Sequence, residues 1–215
     1  MNKIIGENGL HLGIASELDS ALGLHRPCQN ENKMESFEEL KAVCHAACHE
    51  RNACKDGFAA MLMAENTADL MHVWRRWWQD IYVSKYADIM TAKIATATGR
   101  LRREMRQSDV FVNEPTERGL LIVCQPERTV RVGGTAKCYV FGGGLAEGAG
   151  VRIEATDHAQ VFCRTKGVRI TLRGHATAKV EAGDCEIYDR SFLKGKPDSI
   201  EIHDQAKFEE VNSEK

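Results

Sequence analysis

Two stretches near the C-terminal end decide the fold: Val151-Arg-Ile-Glu-Ala-Thr-Asp-His-Ala159 recurs 17 residues later as Val168-Arg-Ile-Thr-Leu-Arg-Gly-His-Ala176. Each contains a short alternating segment followed by a turn with Asp or Gly. A repeat this short is typical of a β-solenoid, in which successive coils stack and bury one continuous core. The sequence therefore predicts a parallel β-solenoid with two strands per coil and about 17 residues per coil.

Residues 17 positions apart should lie above one another in such a solenoid. On the outer face, Arg164 over Glu181 would be a favourable pair, whereas Arg152 over Arg169 would need relief from Glu154 or Glu186. The two histidines of the repeat share a turn position. The predicted columns are Val151, Val168 and Cys185; Ile153, Ile170 and Ile187; Ala159 and Ala176; and His158 and His175.

The stack is expected to end soon after Tyr188. The segment Leu193-Lys-Gly-Lys-Pro-Asp198 breaks the rhythm, and Ile200, Ile202 and Phe208 resume only a rough alternation. Lysine and proline are typical of residues that block the addition of a further strand. The sequence therefore predicts a capped end.

Glycine usage divides the chain at Glu114-Pro115, because six of the 18 glycines precede this point and twelve follow it. Apolar residues before it recur at helical spacing, and those after it alternate. We predict an α+β protein: a mobile or irregular segment over 1–35, an α-helical domain over 36–113, and a β-solenoid domain over 114–215 with an irregular C-terminal cap.

Two helix starts can be read from the helical half. Ser36-Phe-Glu-Glu39 is a capping-box sequence, in which the two polar side chains satisfy backbone amides reciprocally. Thr67 is the expected N-cap of a helix that carries Trp74 and Trp77. A further apolar run from Tyr86 extends the helical pattern to about Gln107.

The turns Asp157-His-Ala159, Gly174-His-Ala176 and Asp204-Gln-Ala206 resemble those of short β-solenoid repeats in an uncharacterised group of small proteins from gut bacteria and their phages. The resemblance covers roughly residues 117–211. It implies a scaffold without a shared activity. It favours a phage or prophage protein that binds a host component.

Charge and composition restrict the partners. The chain has 29 Lys and Arg against 31 Asp and Glu, a balance that disfavours nucleic acid as the partner. The N-terminal residues show neither a signal peptide nor a membrane span, which predicts a cytoplasmic protein. In that compartment the eight cysteines are expected to be reduced.

Cys44-His45-Ala-Ala-Cys48-His49 is the strongest candidate for a metal site, with Cys54 as a further thiolate ligand. Its spacing matches no established zinc pairing, so no cofactor is predicted and zinc is kept as an alternative. The other interpretation is that the cysteines fill the core. The related Cys-x3-Cys-His reading as a haem-attachment sequence would require export.

A cluster of Trp and Arg residues is the candidate binding surface, since both types are enriched at binding hot spots. Trp78 lies off the stripe of Trp74 and Trp77, so we expect it to be exposed or at an interface beside Arg75 and Arg76. The basic end of the last helix suits its dipole first and nucleic acid only as an alternative. This end carries Arg102, Arg103 and Arg106.

No catalytic constellation emerges from the repeats. His158 and His175 fall at turns, and the six-residue spacing of β-helix acyltransferases is absent. We therefore predict a non-enzymatic protein-interaction module whose helical domain binds a protein partner. The solenoid would supply rigidity, homo-oligomer contacts or a second binding face. The alternatives are a metal-dependent protein or enzyme that uses the Cys44–Cys54 segment, and a nucleic-acid binder.

Overall fold

A computed structural model describes residues 33–50, 55–83, 87–124, 129–141 and 150–211. The predicted irregular segment 1–35 lies outside these residues except for its last three. The described part of the helical half contains α1 (Phe37–Glu50), α2 (Lys55–Met63), α3 (Thr67–Val83), α4 (Ala87–Ile94) and α5 (Gly99–Gln107).

The capping box at the start of α1 is confirmed. The backbone N–H of Glu39 donates to Ser36 Oγ at 3.2 Å, and the Ser36 N–H donates back to Glu39 Oε2 at 3.3 Å. These reciprocal bonds satisfy amides that have no partner within the helix.

The prediction that Thr67 caps α3 is wrong, because Asn66 performs this role. The Asp69 N–H donates to Asn66 Oδ1 at 3.0 Å, and Asn66 Nδ2 donates to Asp69 Oδ2 at 2.9 Å. Asn is as good an N-cap as Thr, and here it gains a reciprocal partner. Thr67 becomes the first helical residue, and its buried hydroxyl donates to Glu104 at 2.6 Å.

The helical run predicted to reach Gln107 is interrupted between α4 and α5. Ala97 forms a parallel bridge with Met34, supported by a 2.9 Å bond from the Thr98 N–H to the Met34 carbonyl. This bridge ends α4, and Gly99 opens α5 with φ +56°. The interruption ties the chain before α1 to the middle of the helical half.

The C-terminal half is a parallel β-solenoid, as predicted. A seven-stranded sheet has the order β1-β2-β4-β6-β8-β10-β12, and a five-stranded sheet has the order β3-β5-β7-β9-β11. All neighbouring strands are parallel. The strands are β1 (Val110–Val112), β2 (Leu120–Cys124), β3 (Val130–Val132), β4 (Lys137–Phe141), β5 (Val151–Ala155), β6 (Gln160–Cys163), β7 (Val168–Leu172), β8 (Thr177–Val180), β9 (Asp184–Ile187), β10 (Phe192–Gly195), β11 (Ser199–Ile202) and β12 (Lys207–Glu210).

The coil length changes within the stack. Val151 pairs with Val168 and Ile153 with Ile170, which confirms the 17-residue step for these columns. In the next coil Ile170 pairs with Cys185 and Leu172 with Ile187, a step of 15 residues. The predicted positions of Cys185 over Val168 and of Ile187 over Ile170 are therefore wrong. The path from Val180 to Cys185 is two residues shorter than the equivalent path from Cys163 to Ile170, and an even loss preserves which side chains face inward.

The two kinds of connection between the sheets differ in how constant their length is. Turns from the five-stranded to the seven-stranded sheet all have four residues, at 133–136, 156–159, 173–176, 188–191 and 203–206. Connections in the opposite direction vary in length, spanning 125–129, 142–150, 164–167, 181–183 and 196–198. Length variation is therefore confined to one edge of the described coils.

The prediction that the stack ends soon after Tyr188 is wrong, since β10, β11 and β12 add further strands in register. Gly195 makes this continuation feasible. Its φ is +144°, and a Cβ at this position would lie 1.7 Å from the Val180 carbonyl oxygen. Only glycine fits so close an approach of two backbones. The segment 193–198, which the sequence predicts as the end of the stack, therefore forms most of β10 and the connection to β11.

The helices pack on the outer face of the seven-stranded sheet at its first strands. Tyr82 lies edge-on to Phe141 at 5.0 Å between ring centroids, and its hydroxyl donates to the Val140 carbonyl at 3.3 Å. One apolar cluster joins the helices to this outer face, and a second fills the coils. Leu120–Cys124 is consequently buried on both faces, which explains why this strand is apolar throughout.

The first strand, β1, precedes Glu114-Pro115, where the sequence places the domain boundary. Residues 33–215 cluster into one compact unit, so the helical half and the solenoid share a core.

Candidate interaction surface

The tryptophans of α3 serve the core. Trp78 is only 1% exposed, and its ring meets Phe141 at 6.0 Å in an edge-to-face arrangement. The expectation that Trp78 lies at the surface is therefore wrong. The buried stripe of α3 is wider than its periodicity predicts, because the sheet gives the helix a second apolar neighbour. Trp77 is the half-buried member, and the Arg76 guanidinium lies 5.5 Å from its ring.

Two of the three arginines in the predicted basic cluster at the end of α5 lie beside a carboxylate. Arg106 Nη2 lies 2.8 Å from Glu114, and Arg102 lies 3.7 Å from the same residue. Arg102 also donates to the Val112 carbonyl, which fastens α5 to β1. Arg103 is exposed.

Arg75 lies near a carboxylate as well, at 3.6 Å from Asp109. Arg118 donates to the same carboxylate at 2.8 Å. Asp109 therefore joins α3 to the turn before β2. The arginines of the predicted binding surface thus connect the helices to the first coil, apart from the exposed Arg103 and Arg76.

The cysteine and histidine segment is divided between core and surface. Cys44 and Cys48 are buried, and burial raises the pKa of the Cys48 thiol to about 11 and that of Cys44 further. Burial therefore disfavours the thiolate form that a metal ligand takes. His45 is exposed, and its ring lies 5.5 Å from Phe58.

Other members of the predicted metal site, the His49 side chain and Cys54, lie outside the described residues. Within the described residues, no three His, Cys, Asp or Glu side chains converge on a common metal position. Zinc at this segment stays a prediction.

A cleft of about 580 Å³ lies where the N-terminal ends of α1 and α3 meet. Such ends attract anions when their amides lack partners. Here the first-turn N–H groups of Glu39 and Asp69 already donate to Ser36 and Asn66, and Arg100 pairs with Glu104 at 2.6 Å. These amides and this arginine therefore already have partners within the chain.

The four-residue turns form two columns of stacked side chains. His158 and His175 stack at 5.2 Å between ring centroids, as the repeat predicts. In the adjacent column Arg173 lies 4.2 Å from the Tyr188 ring, which stacks on His203 at 4.4 Å. Stacking of like positions stabilises successive coils, so these columns have a structural role independent of any ligand.

Aspartates of the same turns bridge neighbouring coils. Asp157 adopts φ +57° and accepts from the Gly134 N–H at 3.1 Å, which with the Thr156 hydroxyl holds the pKa of Asp157 below its usual value. Asp189 accepts from the Gly174 N–H in the same way, at 2.8 Å. Asp is among the few non-glycine residues that tolerate a positive φ.

The outer face of the five-stranded sheet confirms the predicted arginine stack. Arg152 pairs in register with Arg169, and both are exposed. Both carboxylates that could relieve this pair are engaged elsewhere: Glu154 pairs with Arg131 at 2.9 Å, and Glu186 accepts from the Tyr188 hydroxyl at 3.3 Å. The predicted pair of Arg164 with Glu181 is present at 3.0 Å.

The last coil, β11 and β12 with the turn between them, is called the open coil. Ile202 is 50% exposed, and Ile200 and Phe208 are partly exposed. Their counterparts one coil earlier, Ile187 and Leu193, are fully buried. The predicted cap at Lys194, Lys196 and Pro197 therefore does not cover the end of the stack within the described residues.

Sequence reasoning missed the open coil although a signal was present. His203-Asp-Gln-Ala206 has the same form as Thr156-Asp-His-Ala159, with φ +55° at Asp204. Each preceding turn from the five-stranded to the seven-stranded sheet likewise has Asp or Gly with a positive φ at its second position. Given more weight than the Lys-Gly-Lys-Pro segment, the turn at Asp204 would have predicted β11 and β12.

Compared with known proteins, the chain matches no family model, no curated protein and no solved structure. The resemblance to solenoid repeats of gut bacteria and phages therefore stays a prediction. None of the described helices has the length and apolar character needed to cross a membrane.

Proposed function

We propose that this protein is a non-enzymatic protein-interaction module, and that its binding site is the open coil. The helices and inner coils act as the rigid support that holds this coil in place. The proposed site therefore differs from the binding surface predicted from the sequence, which lies on the helical half, and stands at the other end of the described chain.

The exposure of Ile202 is the observation that carries this proposal. Ile202 continues an inward column whose previous members are Ile187, Leu172 and Ala155, each with 0% exposure. An inward apolar side chain left half exposed at the end of a stack gains stability when another strand covers it. Covering Ile202 would also cover Ile200 and Phe208, which lie in the same coil.

The backbone of the open coil supports the same function. β11 and β12 are the terminal strands of their sheets, so within the described residues each has one edge of N–H and C=O groups that faces no other strand. Such an edge recruits an extended segment of a partner by strand addition. The partner would therefore be a protein that offers a strand and apolar side chains.

The surface of the helical half supports partner binding less well. Trp78 is buried, and Arg75, Arg102 and Arg106 have carboxylate neighbours. A nucleic-acid partner would have to displace these carboxylates. A phage or prophage origin, with a host component as partner, stays a prediction.

A comparison of three tagged proteins tests the proposal. Wild type, Ile202→Lys and the control Met63→Lys each serve as bait for binding partners from lysates of the source cells. Each bait is also tested for binding to an untagged copy of the chain. Met63 is an apolar residue of α2 with 80% exposure, so the control introduces the same charge elsewhere.

We expect wild type and Met63→Lys to retain a partner that Ile202→Lys loses, and the affinity of the purified pair to follow the same order. Binding unaffected by Ile202→Lys would contradict the proposal. Turnover of a defined substrate by the purified protein would contradict its non-enzymatic part.

A further inference from the structure

We infer that the partner at the open coil is a second copy of this chain, joined through antiparallel pairing of the two β12 strands about a two-fold axis at Phe208. The inference rests on the proposed function, because it names the partner of the same site. It is carried by the order of charges along β12 and by the position of Glu210.

The alternation of β12 defines its two faces. Phe208 pairs in register with Leu193 and points into the coil, where it packs against the inner core. Lys207 and Glu209 flank it and belong to the outer face. Glu209 pairs with Lys194 of the preceding strand, whereas the Lys207 ammonium has no ion pair or hydrogen bond with any described residue, its backbone N–H alone donating to the Ser191 carbonyl.

Antiparallel pairing makes this strand complementary to itself. Residues directly opposite each other in an antiparallel pair share a face. With Phe208 opposite Phe208 of the second copy, Lys207 lies opposite Glu209 of the second copy, and symmetry repeats this pair. Two aromatic rings then extend the interior, and two Lys–Glu pairs lie outside.

Glu210 distinguishes this arrangement from head-to-tail stacking of parallel coils. Glu210 pairs with Gly195 and stands in the inward column of Val180 and Cys163. A further parallel coil would enclose its carboxylate in an apolar interior, which is costly without a partner. Head-to-tail contacts of this kind would also propagate without closing.

In the two-fold arrangement Glu210 lies opposite Ala206 of the second copy, at the margin of the paired segment. The carboxylate then stays in contact with water. A two-fold contact uses the same surface on both copies and closes as a dimer. The inward glutamate therefore favours a closed dimer over a fibre.

Charge exchange tests the register. Sedimentation equilibrium is measured for wild type, Lys207→Glu, Glu209→Lys and the double variant, with Lys166→Glu as control. Lys166 is an exposed lysine in the 164–167 connection, so the control makes the same charge change away from the open coil. Thermal unfolding of each variant verifies that the solenoid is intact.

We expect a wild-type dimer whose Kd rises at least about tenfold in each single variant, because two Lys–Glu pairs become two like-charge pairs. The double variant should bind more tightly than either single variant, since the exchange restores both intermolecular pairs with reversed polarity, while the lysine that replaces Glu209 beside Lys194 keeps its Kd above that of wild type. Lys166→Glu should dimerise like wild type.

Three outcomes would overturn the inference. A dimer insensitive to both single variants would place its interface elsewhere, and single variants that the double variant fails to rescue would refute the register. A wild-type protein that stays monomeric at all concentrations would remove the second copy as partner. If such a monomer still retains another protein that Ile202→Lys loses, the proposed function stands; if it retains none, both fail.

Discussion

The inner coils and the open coil share one register and one inward alternation, yet they differ in burial. Ile187 and Ile202 occupy equivalent positions in successive coils, and of the two only Ile187 has a strand on both sides among the described residues. The same residue type is therefore fully buried in one coil and half exposed in the next. The comparison teaches that alternation decides where a side chain points, whereas the neighbouring coil decides whether it is covered.

The largest expected effect concerns the coupling of the open coil to the coils before it. Gly195→Ala would force a Cβ to within 1.7 Å of the Val180 carbonyl oxygen at φ +144°. We expect the free energy of unfolding to fall by at least about 3 kcal/mol in a urea titration.

Gly167→Ala is the matched control for Gly195→Ala. Its φ is +73°, but a Cβ there has no atom within 4 Å. This substitution should cost about 1 kcal/mol from backbone strain alone. Equal losses for the two variants would show that close approach at Gly195 does not hold the coils together.

The second prediction compares equivalent isoleucines. Ile187→Ala should lower the free energy of unfolding by about 2–5 kcal/mol, because it leaves a cavity among packed side chains. Ile202→Ala should cost less than about 1 kcal/mol in the monomer, since half of its side chain already contacts water. Denaturant titrations of both variants at low protein concentration measure the difference. Similar values would mean that Ile202 is covered in the monomer.

The third prediction concerns the turn aspartates and pH. Because the pKa of Asp157 is lowered in the folded protein, its ionised form stabilises the fold above the ordinary carboxyl pKa. This contribution is lost as the pH falls through the lowered pKa. Asp157→Asn keeps a residue that tolerates positive φ and removes the titration.

We therefore expect wild type to exceed Asp157→Asn in thermal stability at neutral pH, with the gap closing under acidic conditions. Melting temperatures across this pH range provide the measurement. A gap that is constant with pH would assign the effect to the side-chain amide and not to charge.

The smallest expected effect is that of the ion pair between adjacent inner coils. Arg164→Ala should lower the free energy of unfolding by about 0.2–1 kcal/mol, and high salt should reduce the loss, because the pair with Glu181 is exposed. Unfolding of Arg164→Ala, Glu181→Ala and the double variant gives the coupling energy. A coupling above this range would mean that charge pairs, and not only the core, set the stability of the coils.

Much of the solenoid could be predicted from the sequence because its repeat is local. The step from Val151 to Val168 fixes strand spacing, turn position and the inward columns together. The shift of Cys185 and Ile187 could not be read, since losing two residues leaves the alternation unchanged. Nor could the end of the stack, because Gly195 serves an approach between backbones that only the neighbouring coil reveals.

The candidate site was harder to predict than the fold. Trp78 and Arg102 had the composition of a binding surface, but the outer face of the seven-stranded sheet and Glu114 engage them. Packing between helices and sheet depends on contacts distant in sequence. The open coil could have been inferred from the turn at Asp204, whose form matches those of the inner coils.

The confinement of length variation to one edge has a consequence for engineering the molecule. The connections at 142–150 and 164–167 differ in length while the strands on either side keep their pairing. A foreign peptide grafted at 164–167 would therefore lengthen an already variable segment without rewinding the stack. The four-residue turns at 156–159 and 188–191 offer no such freedom, because Asp157 and Asp189 accept hydrogen bonds from the turn of the preceding coil.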